Sequence, residues 1–204
     1  MLDNNFILKL DLGAKACSTC LNKKSSSSDH LPLMIPMTIC CLNCYGSHWW
    51  CQSCLIACHA QHPFHHPQQW KETSFENVSF DLGYIFTLGH SSSGYSCPEN
   101  DNLFRDCHMT LIHVNGVFEH CVKFCCCPGA SLEHEQLFCH QIFPSTFDRP
   151  ETAFTLDVLE YYGIDAMECK TSAQSFFQKL RRVTNNAFPD DVPVCSSSFI
   201  VTIN

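Results

Sequence analysis

Cys17-x-x-Cys20, Cys41-x-x-Cys44 and Cys51-x-x-Cys54 precede His59 and His65 in the run Cys58-His-Ala-Gln-His-Pro-Phe-His65. Two residues between cysteines let both sulfurs turn onto one tetrahedral ion at about 2.3 Å, and eight such ligands complete two closed zinc sites. A site whose four positions are all taken by protein has no place for water or substrate, which marks structural rather than catalytic zinc. Seventeen Cys and twelve His exceed what packing asks of thiols and imidazoles. Disulfides would account for the cysteines but not for the interleaved histidines, and the odd cysteine count leaves one over. The opening Met1-Leu-Asp-Asn-Asn-Phe-Ile-Leu-Lys-Leu has too short an apolar run for a secretory leader, and no stretch approaches the length that spans a bilayer. The expectation is therefore metal-bound thiolates in a reducing intracellular compartment, with no membrane partner.

Beside these ligands, Cys40, Cys58, His62 and His66 read as buried thiols or solvated imidazoles, and His48 as exposed. Trp49, Trp50 and Trp70 are expected to pack around the ions. The ligand order suggests an interleaved arrangement similar to B-box and ZZ-type fingers, with pairs one and three on one ion and pair two with the histidines on the other. A second cluster follows. Cys125 and Cys127 form a Cys-x-Cys pair at the end of an extended run, with His90 and Cys97 upstream, and the four would make one Cys3His site for a third zinc ion. Cys126 points the other way along an extended chain and reads as non-ligating. Cys107, His108, Cys121, Cys139 and His140 stand as reserve ligands.

The elements that must hold these ligands read as an α+β chain. A hydrophobic content of 45% against 16% charged residues is enough for a packed core. We read a leader over 1–16, a double zinc cluster over 17–70, a β-hairpin region over 71–147, a helical segment over 148–190, and a divergent tail over 191–204 that matches no template. Asn115-Gly116 between Thr110-Leu-Ile-His-Val and Val117–Phe124 predicts a hairpin whose two turn residues both take positive φ. Pro150 is expected to open a first helix with an apolar face of Ala153, Phe154, Leu156, Val158, Leu159 and Tyr162, stopped by Gly163. Thr171-x-x-Gln174 reads as a capping box before a second helix, whose stripe of Ala173, Phe176, Phe177, Leu180 and Val183 is core.

The order Cys41-Leu-Asn-Cys44-Tyr-Gly, Cys51-Gln-Ser-Cys54, His59, Pro63-Phe-His65 and Trp70 resembles the CxC-type cysteine-cluster domain of Kyakuja, Dileera and Zisupton (KDZ) transposases, known mainly from fungal genomes. The resemblance continues through Leu88-Gly-His90, Cys97-Pro98, Asn115-Gly116, Phe124-Cys-Cys-Cys127, Gln136-Leu137, Phe143-Pro-Ser-Thr146, Pro150-Glu-Thr-Ala-Phe154, Lys170-Thr-Ser172 and Asn185-Asn186, and covers about Cys17 to Asn186. It implies a zinc-binding region N-terminal to a transposase core of RNase H-like fold. No position here matches that core's acidic metal ligands, so no catalytic residue is carried over. Phe118 stands where the family usually has a histidine. The tail from Val194 departs from the basic, helical continuation of relatives, which suggests a truncated or degenerate copy, or a gene model read into an intron.

The expected function is a non-catalytic zinc module that recognises DNA, in the form of transposon ends, or a protein partner, in the nucleus and with no small-molecule substrate. Charge works against indiscriminate DNA binding. Twelve basic and twenty acidic residues give −8, and ionised ligand thiols minus three zinc ions would take this to roughly −11. Local basic patches are Lys23 and Lys24, and Lys179, Arg181 and Arg182, which read first as a solvated loop and helix face and otherwise are the candidate nucleic-acid contacts. A B-box or ZZ-like interaction finger of a chromatin or ubiquitin-pathway protein would fit the first cluster but leaves Cys-x-Cys and the helical pair unexplained. A zinc hydrolase or thiol oxidoreductase needs an open metal position or a thioredoxin-like Cys-x-x-Cys setting, and neither is visible.

Overall fold

The computed structural model describes residues 17, 19–20, 39–46, 48–71, 74–78, 85–89 and 104–193. The chain divides into two compact units, Met1–Leu82 and Gly83–Asn204, and the described residues form a mixed α+β structure with a sheet in each unit. No helix among them is long and apolar enough to cross a membrane.

In the first unit, β1 (Ile39–Cys41), β2 (Pro67–Lys71) and β3 (Ser74–Asn77) form an antiparallel sheet in that order. The chain leaving β1 folds back at once: Trp50 N–H donates to Ile39 O at 3.0 Å, and Leu42 N–H donates to His66 O at 3.0 Å. Helix α1 (Gln52–His59) follows. Cys17, Ile39, Cys41, Trp50, Leu55 and Val78 make a small buried cluster, with Cys44, Cys51 and Cys54 packed against it. Five of the nine residues in this cluster are cysteines that also belong to the candidate ligand pairs, so packing and metal binding would draw on the same side chains.

In the second unit, β4 (Ile85–Thr87), β5 (Phe104–His113), β6 (Gly116–Cys125), β7 (Ile142–Pro144) and β8 (Thr152–Thr155) form a five-stranded sheet in the order β4-β6-β5-β8-β7. Its centre is the long β5–β6 hairpin. Helix α2 (Glu133–Cys139) follows β6, and α3 (Leu156–Cys169) and α4 (Ala173–Thr184) follow β8. Ile112, Val117, Phe154, Val158, Phe176, Phe177, Leu180 and Val192 close into one core. Val192 thus anchors the start of the expected divergent tail. The rest of the tail from Val194 lies outside the described residues.

Several local readings are corrected. His113 pairs with Gly116, so the turn is Val114-Asn115. Gly116 takes a positive φ of 135° and Asn115 does not. Pro150 does not open a helix: Thr152–Thr155 is a strand, parallel to β5 on one side and antiparallel to β7 on the other. Two neighbours satisfying its backbone outweigh the helical spacing of Ala153 and Phe154. Helix α3 starts one residue later, where Thr155 accepts from Val158 N–H at 3.4 Å. It passes through Gly163 and ends at Lys170, which takes the left-handed conformation at φ 55°. Ser172, not Thr171, caps α4, accepting from Ser175 N–H at 3.2 Å. Phe176, Phe177 and Leu180 are core as expected, but Val183 is 51% exposed.

Gly116 shows how tightly the hairpin tip seats on α4. A Cβ there would lie 2.5 Å from Thr184 Oγ1, the oxygen that accepts from Val117 N–H at 2.8 Å and donates to Leu180 O at 2.9 Å. Gly116→Ala combines backbone strain with displacement of that hydroxyl. We expect it to cost about 2 kcal/mol in chemical denaturation; a loss below about 0.5 kcal/mol would show that the tip adjusts freely.

Candidate metal centre

The first unit gathers its thiols and imidazoles into two groups. The ligand atoms of Cys17, Cys20, Cys51 and Cys54 lie within 4.8 Å of one another, and so do those of Cys41, Cys44, His59 and His65. These are the interleaved sets: pairs one and three together, and pair two with the histidines. Helix α1 makes this possible. Cys51 is its N-cap residue, Cys54 lies in its first turn and His59 is its last residue. Five residues of helix separate Cys54 from His59 by about 7.5 Å along the axis, so a single rigid element reaches both groups.

The fit to zinc can be tested on distances. Tetrahedral zinc with the usual bond lengths requires about 3.8 Å between two sulfurs and about 3.6 Å between sulfur and nitrogen. Cys20 Sγ lies 3.5 Å from Cys54 Sγ. Cys44 Sγ lies 3.3 Å from His59 Nε2 and 3.5 Å from His65 Nδ1, and Cys41 Sγ lies 3.6 Å from His65 Nδ1. These four separations are close to tetrahedron edges, and thiolates with imidazoles are a donor set that suits zinc.

Supporting contacts fix the ligands. His59 Nδ1–H donates to Leu55 O at 3.1 Å, which leaves Nε2 unprotonated and facing the cysteines. Trp50 packs edge-on against the same imidazole at 5.4 Å, and burial holds His59 below its ordinary pKa, in the neutral form that a metal needs. Asn43, inside the Cys41–Cys44 knuckle, accepts from His66 N–H at 2.7 Å and so ties the His65 turn to the cysteine loop. In the four-cysteine group, burial raises the Cys17 thiol, but backbone N–H donors at Cys51, Cys20 and Thr19 outweigh it and bring it to about 6. Burial and the neighbouring thiols push Cys54 upward. Four thiolates this close repel one another unless a cation lies among them.

The neighbours divide. Cys40 is buried and its thiol is pushed up to about 11 by burial; His66 is buried, while Cys58, His62 and His48 are exposed. Trp49 and Trp50 are buried; the side chain of Trp70 lies outside the described residues.

In the second unit, Cys125 Sγ lies 3.5 Å from Cys127 Sγ, and both residues are buried. Cys126 is exposed and its thiol donates to Phe124 O at 3.6 Å. His90 and Cys97 lie outside the described residues. Cys107, His108, Cys121, Cys139 and His140 join no group of three or more ligands among the described residues. Gln136, whose role spacing did not reveal, positions the pair. Its side-chain oxygen accepts from Cys125 N–H at 3.0 Å, and its amide donates to Cys125 O at 2.9 Å and Ser131 O at 2.8 Å. Helix α2 is held over this strand end by Arg105, which makes two 2.6 Å bonds to Glu133 and stacks its guanidinium 5.3 Å from the Phe124 ring. Phe118 lies parallel to His120 at 6.0 Å.

The basic residues are unequally available. Lys179 donates to Asp165 at 3.1 Å and lies over Tyr161 and Phe176. Arg181 is buried and bonded to Asp190 at 3.2 Å and Gln178 at 3.3 Å. Arg182 is exposed; Lys23 and Lys24 lie outside the described residues.

A family model described as CxC2 like cysteine cluster associated with KDZ transposases matches residues 80–188, more than half of the chain and most of the second unit. The double ligand group of the first unit lies N-terminal to the matched residues. No curated protein and no solved structure matches the chain.

Proposed function

Because the chain belongs to the family of CxC2-like cysteine clusters associated with KDZ transposases, we propose that it is a non-catalytic, zinc-organised recognition module of a transposase-derived protein. The observation that carries this reading is the closure of both ligand groups in the first unit: four protein ligands each leave no coordination position for a substrate. In this reading a third ion joins Cys125 and Cys127 to His90 and Cys97. A native mass spectrum under reducing conditions should show three zinc ions per chain, all lost on chelation. One ion or none would sink the proposal.

Protein recognition is favoured over DNA recognition by the state of the basic residues, since Lys179 and Arg181 are engaged inside the second unit. DNA contact, including transposon ends, would then fall to Lys23, Lys24 and Arg182. We expect weak, non-specific DNA affinity that declines shallowly with salt, and a further decline when those three residues are neutralised. Tight binding to terminal-repeat DNA at physiological salt, measured across a salt series, would reverse the preference. The interleaved ligand order also supports a B-box or ZZ-like arrangement for the first unit, a use typical of protein-interaction fingers in chromatin and ubiquitin pathways. A module that works beside a transposase would act in the nucleus.

A further inference from the structure

Phe138 on α2, Phe143 on β7 and Phe147 in the loop after it meet in one cluster. Their ring centroids lie 5.4, 6.3 and 6.4 Å apart, with planes inclined at 65°, 49° and 66°. His134, one helical turn before Phe138, adds a fourth ring 5.3 Å from Phe147 and 6.2 Å from Phe138. Side chains of this kind are usually buried, yet Phe138 is 40% and Phe147 61% exposed.

The same unit shows what such a fork of rings can hold. Tyr161 and Phe176 lie 5.7 Å apart at 59°, and the Lys179 ammonium sits 4.6 Å from one centroid and 4.8 Å from the other, where the negative ring faces attract it. The phenylalanine cluster repeats that ring-pair geometry three times, and no cation of the described residues lies over it. Its surroundings are acidic. Exposed Asp148 and Glu151 follow Phe147, against the exposed cation Arg149, while Glu135, three residues before Phe138 on α2, accepts from Leu132 N–H at 2.9 Å at the helix start.

We infer that the Phe138–Phe143–Phe147 cluster receives the ammonium group of a lysine side chain, bare or methylated, presented by a protein partner. The negative ring faces supply the attraction to a cation, and exposed Asp148, next to Phe147 in the chain, adds to it. The inference rests on the protein-recognition reading. Its test uses small molecules, so failure here leaves the zinc count and the salt series untouched.

The zinc-loaded chain would be titrated by NMR with N-acetyl-trimethyllysine methylamide, with N-acetyl-lysine methylamide, and with the neutral isostere carrying carbon in place of the ammonium nitrogen. We expect saturable shifts of the Phe138, Phe143 and Phe147 ring signals, with the trimethylated cation binding about tenfold more tightly than its isostere. Comparison with unmodified lysine tells the two sources apart. Phe147→Leu, which keeps apolar bulk and removes two of the three ring pairs, should weaken the preference for charge several-fold while leaving the amide spectrum elsewhere unchanged. Equal binding of the isostere, absence of shifts with either cation, or an undiminished charge preference in Phe147→Leu would overturn the assignment.

Discussion

Replacing Cys54 by serine is expected to release zinc from the four-cysteine group and to unfold the first unit. Cys54 faces Cys20 across a 3.5 Å edge and sits in the first turn of α1. Structural zinc contributes about 10–16 kcal/mol in finger-sized domains, and Cys54 itself packs against the buried cluster of the described residues. The loss should spread. His59, at the other end of the same helix, serves the second group, so disordering α1 removes a ligand from both. Native mass spectrometry should report the loss of two ions rather than one, and tryptophan fluorescence should red-shift as Trp49 and Trp50 leave their buried positions. Cys126→Ser is the matched control. Its thiol is exposed and bonded to Phe124 O, so zinc content and the thermal transition should stay nearly unchanged. Full metal retention in Cys54→Ser, or release of an ion by Cys126→Ser, would overturn the ligand assignment.

Gln136→Leu is expected to destabilise the second unit by about 3–5 kcal/mol. The wild-type side chain is buried and fully bonded, and it alone among the observed partners meets both the N–H and the C=O of Cys125. Leucine has similar bulk but removes both of those bonds, at about 1–3 kcal/mol each, and loses the bond to Ser131 O as well. The damage reaches the candidate third zinc site, because the backbone of Cys125 determines where its sulfur meets that of Cys127. Urea denaturation would give the stability loss, and zinc titration should show weakened retention of one ion with two unaffected. A stability change below about 1 kcal/mol would mean that water or another donor replaces the amide.

How far the sequence reaches can be read from these same residues. The candidate ligands of the first unit were legible without the fold: Cys-x-x-Cys holds its sulfurs together through local chain geometry, and the order of the pairs suggested the interleaved grouping whose ligand atoms lie within 4.8 Å of one another. The helical stripe of Phe176, Phe177 and Leu180 and the hairpin around Asn115-Gly116 were legible for the same reason, since periodicity and turn chemistry act over a few residues. Partners distant along the chain were not legible. Ala153 and Phe154 have helical spacing with Val158, but β5 and β7 offer their backbone ladders on both sides, and those long-range bonds win over a local preference. Gln136 reads as an ordinary polar residue until α2 lies against β6. Lys179 and Arg181 read as a basic patch until Asp165 and Asp190 arrive from elsewhere and take up their charge. The chemistry of the ligands was therefore determined by the sequence itself, because a metal site is assembled from strongly directional side chains at short spacing. The support of Cys125, the availability of each cation and the exposed ring cluster around Phe138 were decided only by tertiary structure, because each depends on which distant group fills the space beside it.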